Sequence, residues 1–133
     1  MKENSLKKDL ILKKRNDIVE VLKNGRRFGR GSVRLILLRR DIQSLKIAFL
    51  VSKKYGRKAV LRNKIKRWFR EIFRQNKACF PVHAHIIMTS AVSYEDLDFT
   101  ILKNDFLEVV RSEEFTDFIS QILPESNIPV KEE

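Results

Sequence analysis

Apolar residues recur along the chain at two spacings, and the spacings divide it into elements. Ile18, Val21 and Leu22 share one side of a helix that Asn16 would cap, with Asp17 and Glu20 suited to the dipole of its first turns and Gly25 as its stop. Arg26 to Ser32, with Gly29 and Gly31 between arginines, reads as a turn leading into a strand rather than a nucleotide loop, because no Lys-Ser/Thr follows the glycines. Val33 to Leu38 and Ile47 to Val51 read as strands, and the polar loop between them makes an antiparallel hairpin the simplest pairing.

Leu61, Ile65, Trp68, Phe69 and Ile72 then form the apolar stripe of an amphipathic helix from about Lys58 to Gln75. Pro81 closes the following loop, and Ala84 to Met88 reads as a strand buried on both faces. An acidic loop, Tyr94 to Asp98, precedes a helix that Asp98 would cap, with Phe99, Leu102, Phe106, Val109 and Val110 on its apolar side. Phe115, Phe118, Ile119 and Ile122 keep the helical spacing, either in the same helix bent near Ser112 or in a second one. Residues 1–14 read as a basic arm broken by Leu10 to Leu12, and 124–133, with Pro124 and Pro129, as a frayed tail. Helix, strands, basic helix, strand and helix predict one α+β domain over 15–123.

Charge changes the picture. The 133 residues carry a net +11, distributed as +9 over 1–52, +10 over 53–77 and −8 over 78–133. Between Lys53 and Lys77 there are eleven basic residues and one acid, Glu71. Arg62, Lys66, Arg70 and Arg74 run along one flank of the apolar stripe, with Asn63 and Arg67 just beyond. Cations four residues apart on a helix repel by a few tenths of a kcal/mol per pair, so this face calls for a counter-charge from outside the chain. A polyanion held through phosphate contacts and counterion release fits it. Lys53 and Lys54 after a strand extend the basic edge, and Asn63 adds both donors and acceptors.

Other chemistries find little support. Hydrolysis by carboxylates needs at least two acids brought together, and the basic region holds only Glu71. Cys79, His83 and His85 lack the remaining ligands of a zinc site. Ser52 has no His–Asp partners near it in sequence. Trp68 and Phe69 are of a kind that stacks on bases, but their phase on the stripe makes them core anchors. No cofactor motif appears. The single cysteine allows no internal disulfide, no run approaches the ~18 apolar residues of a membrane span, and no signal-peptide pattern follows Met1. The expectation is a cytoplasmic protein with no membrane association and no obligate protein partner. The residues themselves reach nucleic acid and leave open a structural RNA-binding protein of ribosomal type. A DNA-binding basic helix is disfavoured by Trp68, Phe69 and Ile72, which demand a core.

The run from Val51 to Glu71 resembles the signature of the bacterial ribonuclease P protein component, S-K-K-x-G-x-A-V-x-R-N-R-x-K-R-x-x-R-E. Ser52, Lys53, Lys54, Gly56, Ala59, Val60, Arg62, Asn63, Lys66, Arg67, Arg70 and Glu71 match, with one extra residue between Gly56 and Ala59. The resemblance covers about residues 10–111. It implies a subunit that binds a large catalytic RNA and the 5′ leader of precursor tRNA, while the RNA carries the active site and holds the magnesium of the holoenzyme. The protein alone would then be inactive in endonucleolytic cleavage. It also implies a mixed sheet in which the basic helix joins two parallel strands by a left-handed crossover, against the usual rule.

On this resemblance the RNA-binding residues are Ser52, Lys53, Lys54, Arg62, Asn63, Lys64, Lys66, Arg67, Arg70 and Arg74. The leader cleft, between the first helix and the sheet, would use Lys13, Lys14, Ile18, Leu22 and Ile36. The chain departs from the family pattern in several places. Lys64 replaces an arginine and loses its bidentate fork. Ile18, Leu22, Val33 and Ile36 stand where aromatic residues are usual. An Asp and an Arg that bracket the strand after the basic helix are absent, with His85 and Ser90 or Ala91 near those places. Glu113–Leu123 looks like an addition to the core.

Overall fold

The protein, a computed structural model, is described over residues 8–122. Its elements are α1 (Arg15–Asn24), β1 (Arg26–Arg30), β2 (Val33–Arg39), β3 (Lys46–Phe49), α2 (Ala59–Gln75), β4 (Ala84–Ser90), α3 (Phe99–Arg111) and α4 (Glu113–Ile122). The four strands form one sheet in the order β1-β2-β4-β3. β1 and β4 both run antiparallel to β2, while β3 runs parallel to β4. The α+β class expected from the sequence is therefore present.

The hairpin expected between β2 and β3 is not. β4 lies between them, and α2 is the crossover linking parallel β3 to β4. The physical reason is the composition of β4. Its residues from Ala84 to Met88 are all buried, so the strand needs a neighbour on each edge and cover on each face, and only the centre of the sheet supplies both. The segment 26–30, expected as a turn, is the edge strand β1, paired from Arg26↔Leu37 to Arg30↔Val33. Only Phe28 of its five residues is buried, so its apolar alternation is too sparse to show in the sequence. The turn proper is Gly31-Ser32, where Gly31 has φ +53, a conformation costly for side chains with a Cβ.

Lys14, not Asn16, occupies the cap position of α1, without a side-chain cap bond. Asp98 caps α3 as expected, accepting from the Ile101 N–H at 2.8 Å. At Ser112 the backbone turns extended, and its hydroxyl donates to the Val109 carbonyl at 2.7 Å while accepting from the Phe115 N–H at 3.3 Å. One serine thus ends α3 and starts α4, giving two helices rather than one bent helix.

The sheet has an enclosed face and a partly open one. Phe28, Val33, Leu35, Leu37, Ile47, Phe49, Ile86 and Met88 join Ile65, Phe69, Ile72 and Phe73 of α2 and Leu102, Phe106 and Val109 of α3 in the main core. Each fully buried side chain of this size contributes about 1.5–3 kcal/mol relative to exposure. α4 adds Phe115, whose ring meets Phe28 at 5.1 Å and Phe80 at 5.8 Å between centroids. On the opposite face Val21 and half-buried Ile18 of α1 pack with Leu12, Ile36, Ala48 and Ile87. Residues 8–12 are consequently not part of a free arm. Leu10 and Leu12 are buried, and the Leu12 N–H donates to the Ile47 carbonyl at 2.8 Å, continuing the sheet edge. The rest of the expected arm, 1–7, and the expected tail, 124–133, lie outside the described residues.

Candidate nucleic-acid interface

The basic surface begins at a tight turn that the chain builds from its own small residues. The N–H groups of Tyr55 and Gly56 both donate to the Ser52 carbonyl at 3.2 Å. The Ser52 hydroxyl accepts from the Lys54 N–H at 3.0 Å. Behind the turn, fully buried Tyr94 accepts the Ser52 N–H on its hydroxyl at 2.8 Å, and its own N–H donates to the Tyr55 carbonyl at 2.8 Å. Burial pushes the Tyr94 hydroxyl pKa upward, keeping it a neutral partner. Lys53 and Lys54 project from this turn into solvent, and the Lys54 ammonium lies 5.5 Å from the centre of the Tyr55 ring.

α2 then presents its cations in three different states. Asn63, Arg67 and Arg70 are exposed, and Lys66 is half-buried. None of these four makes a side-chain hydrogen bond or ion pair among the described residues. Arg62 turns back to donate to the Gly56 and Arg57 carbonyls at 2.9 and 2.7 Å, so it braces the entry to the helix. Lys64 sits over the Trp68 ring at 5.4 Å, and Trp68 packs edge-on against Phe99 at 6.4 Å. Arg74 is paired with Glu71 through Nε at 3.1 Å and Nη2 at 2.5 Å. That pair holds the Glu71 carboxyl below its ordinary range. Of the residues expected to bind RNA, Ser52, Lys54, Arg62, Lys64 and Arg74 thus have internal partners, while Lys53, Asn63, Lys66, Arg67 and Arg70 have none among the described residues. Val60, 77% exposed in the first turn of α2, is an apolar side chain left on this basic surface.

The residues expected to line one leader cleft do not share one pocket. Ile36 lines a groove of about 680 Å³ on the partly open sheet face with Ser52, Tyr55, Thr89, Ala91 and three arginines, Arg27, Arg30 and Arg34. Lys13 and Lys14 instead line a separate hollow of about 720 Å³ at the start of α1, with Arg40, Lys46 and His85. Ile18 is taken up in packing beneath α1, and Leu22 stands outside at 36% exposure. Arg27 and Arg34 escaped sequence reasoning because their place beside Ile36 depends on strand register. Alternation within β2 does put Ile36 and Val33 on opposite faces, with Val33 in the main core. His85, weighed in the sequence with Cys79 and His83, is 5% exposed, and its Nδ1 has no hydrogen-bond partner among the described residues. Burial lowers its pKa.

Comparison with known proteins agrees with this architecture. The sequence matches the family described as Ribonuclease P over residues 6–113. The ribonuclease P protein component of Dictyoglomus thermophilum is 31% identical over 107 residues, covering 79% of this chain and 88% of that one. That of Petrotoga mobilis is 30% identical over 115 residues, covering 84% and 97%. Among solved structures, the RNase P protein of Staphylococcus aureus superposes with a TM-score of 0.68 at 28% identity, over 77% of this chain and 93% of that one. The protein from Thermotoga maritima does so at 0.66 and 29%, over 77% and 97%. α4 starts at Glu113, where the family match ends. The chain belongs to the ribonuclease P protein family and is a protein subunit of that tRNA-processing ribonucleoprotein.

Proposed function

We propose that this subunit binds the catalytic RNA through the Ser52–Lys54 turn and the outer side of α2, and takes the 5′ leader of precursor tRNA in the groove beside Ile36. The observation that carries this reading is the contrast between the two sides of α2. Ile65, Phe69, Ile72 and Phe73 are buried, while Lys66, Arg67 and Arg70 on the other side have no carboxylate partner among the described residues. A helix anchored this way offers fixed cations to phosphates, and phosphates supply the missing counter-charge.

The reaction is hydrolysis of a phosphodiester that releases the leader, with no residue of this chain acting as acid, base or nucleophile. Magnesium belongs with the RNA on this reading. Glu71, the one carboxylate of α2, is committed to Arg74 and Gln75, so the donor set of the interface suits phosphates rather than a metal ion. The subunit works in the cytoplasm, where its exposed free Cys79 stays reduced.

Capture of the tagged protein from a bacterial lysate, followed by sequencing of the bound RNA, tests the reading. It predicts one large structured RNA together with tRNA precursors that retain their leaders. Recovery of ribosomal RNA alone would favour a ribosomal role instead.

A further inference from the structure

The β1–β2 hairpin carries a pair of arginines whose arrangement goes beyond a solvated basic surface. In the antiparallel register Arg27 faces Ile36 and Gly29 faces Arg34, and directly paired residues project from the same face of a sheet. On the other side of β2, Thr89 of β4 faces Arg34 and Ile87 faces Ile36. Arg27, Arg34, Ile36 and Thr89 therefore share the open face and line the same groove as Ser52 and Tyr55.

Both arginines are held in place through backbone carbonyls. Arg34 lies across Gly29, where an added Cβ would come within 2.7 Å of its Cδ. Its Nη1 donates to the Gly31 and Val33 carbonyls at 2.7 and 2.9 Å. Arg27 reaches the end of α1, where its Nη2 donates to the Leu22 carbonyl at 2.6 Å. A guanidinium has five N–H donors, so each keeps several for a ligand, and neither has a carboxylate within ion-pair distance among the described residues.

The hairpin itself is fixed from behind. Asp105 of α3 accepts from both the N–H and the hydroxyl of Ser32, at 2.8 and 2.7 Å, inside the turn. Glu114 of α4 pairs with Arg30 at 2.6 Å, and Arg26 lies 5.5 Å from the Phe118 ring. Arg30 also lines the groove but is paired with Glu114, and Arg26 is engaged by Phe118, so Arg27 and Arg34 are the groove's arginines without an acidic partner among the described residues.

We infer that Arg27 and Arg34 form a phosphate clamp for the single-stranded leader of precursor tRNA, continuing the path from the Ser52–Lys54 turn across the open sheet face to the hairpin. This rests on the leader reading above. Ile36 is aliphatic, and of the groove's two rings Phe28 is buried in the core while Tyr55 belongs to the Ser52–Lys54 turn, so charge dominates the grip at the hairpin. Fork-shaped donors held by carbonyls suit phosphate oxygens at little ordering cost.

The test uses the reconstituted complex of protein, ribonuclease P RNA and precursor tRNA bearing either a long leader or a single-nucleotide leader. For Arg27→Gln and Arg34→Gln, affinity for the long-leader substrate should fall about tenfold each. The salt slope should drop by about 0.7 for each arginine removed. Binding of the single-nucleotide substrate, and of the RNA subunit itself, should not change. Glu114→Gln, which frees Arg30 in the same groove, should not lower leader affinity, and melting curves confirm that each variant is folded. If the parent complex prefers the long leader and both arginine variants keep that preference, the clamp is wrong while the leader reading stands. Equal losses on both substrates would assign the arginines to the RNA subunit and overturn the clamp. Absence of any leader preference in the parent complex would overturn both.

Discussion

Gly56 and Tyr94 occupy the same small space: a Cβ built on Gly56 would lie 2.3 Å from Cδ2 of the Tyr94 ring. The contact places a buried ring directly behind the turn that presents Lys53 and Lys54. The glycine of the Ser-Lys-Lys-x-Gly run is therefore needed for space. Gly56→Ala should destabilise the protein by about 1–3 kcal/mol through overpacking. Tyr94→Phe should cost about 1–3 kcal/mol by leaving the part-buried Ser52 N–H without its acceptor. Denaturant unfolding measures both, and a wild-type midpoint for Gly56→Ala would show that the turn is not locked by the ring.

Parts of this design were legible in the sequence for a definite reason. The apolar stripe of α2 is a local pattern, and Ile65, Phe69 and Ile72 are buried where it placed them. Asp98 signals its own helix start in the same local way. The position of β4 between β2 and β3 was hidden, because strand order depends on which segment most needs burial and not on adjacency in the chain. The groove was hidden for a related reason. Arg27 and Arg34 join Ile36 only once the β1–β2 register is known, and Lys13 and Lys14 part from it only once residues 8–12 are seen packed along β3.

The cations of α2 should separate into those that bind and those that brace. Lys66→Glu and Arg67→Glu should each flatten the dependence of log affinity for RNA on log salt without lowering stability. Each phosphate contact contributes about 0.7–0.9 to that slope. Arg62→Ala should also lower the melting temperature, because the carbonyls of Gly56 and Arg57 lose their donor. Unchanged slopes for both Lys66 and Arg67 would place the RNA on another surface.

Leu22 lies at the end of α1, and its carbonyl is held by Arg27 beside the groove. At 36% exposure it has room for a larger side chain. Leu22→Phe should strengthen binding of leader-bearing precursor tRNA several-fold, since a stacked base is worth about 1–3 kcal/mol. Mature tRNA binding and the melting temperature should stay nearly constant. A lower melting temperature with no gain for the precursor would show that a ring at position 22 does not reach the leader.

His85 makes stability depend on pH with a defined sign. Burial lowers its pKa in the folded state below the ordinary value of 6.5, so in the window just below that value the unfolded chain binds more protons. Its contribution is complete above pH 6.5 and is lost as pH falls toward the depressed value. His85→Gln should flatten the stability profile across that window. An unaltered profile by denaturant unfolding at several pH values would mean that His85 does not titrate as its burial requires.

The central claim is that this chain assists a reaction whose chemistry belongs to RNA. Its most direct test is cleavage of precursor tRNA at low magnesium by the purified protein alone, by a bacterial ribonuclease P RNA alone, and by the two together. The account predicts no cleavage by the protein, little by the RNA at that magnesium level, and correct release of the 5′ leader by the mixture. Robust magnesium-dependent cleavage by the protein without RNA, or no gain when the two are combined, would contradict it.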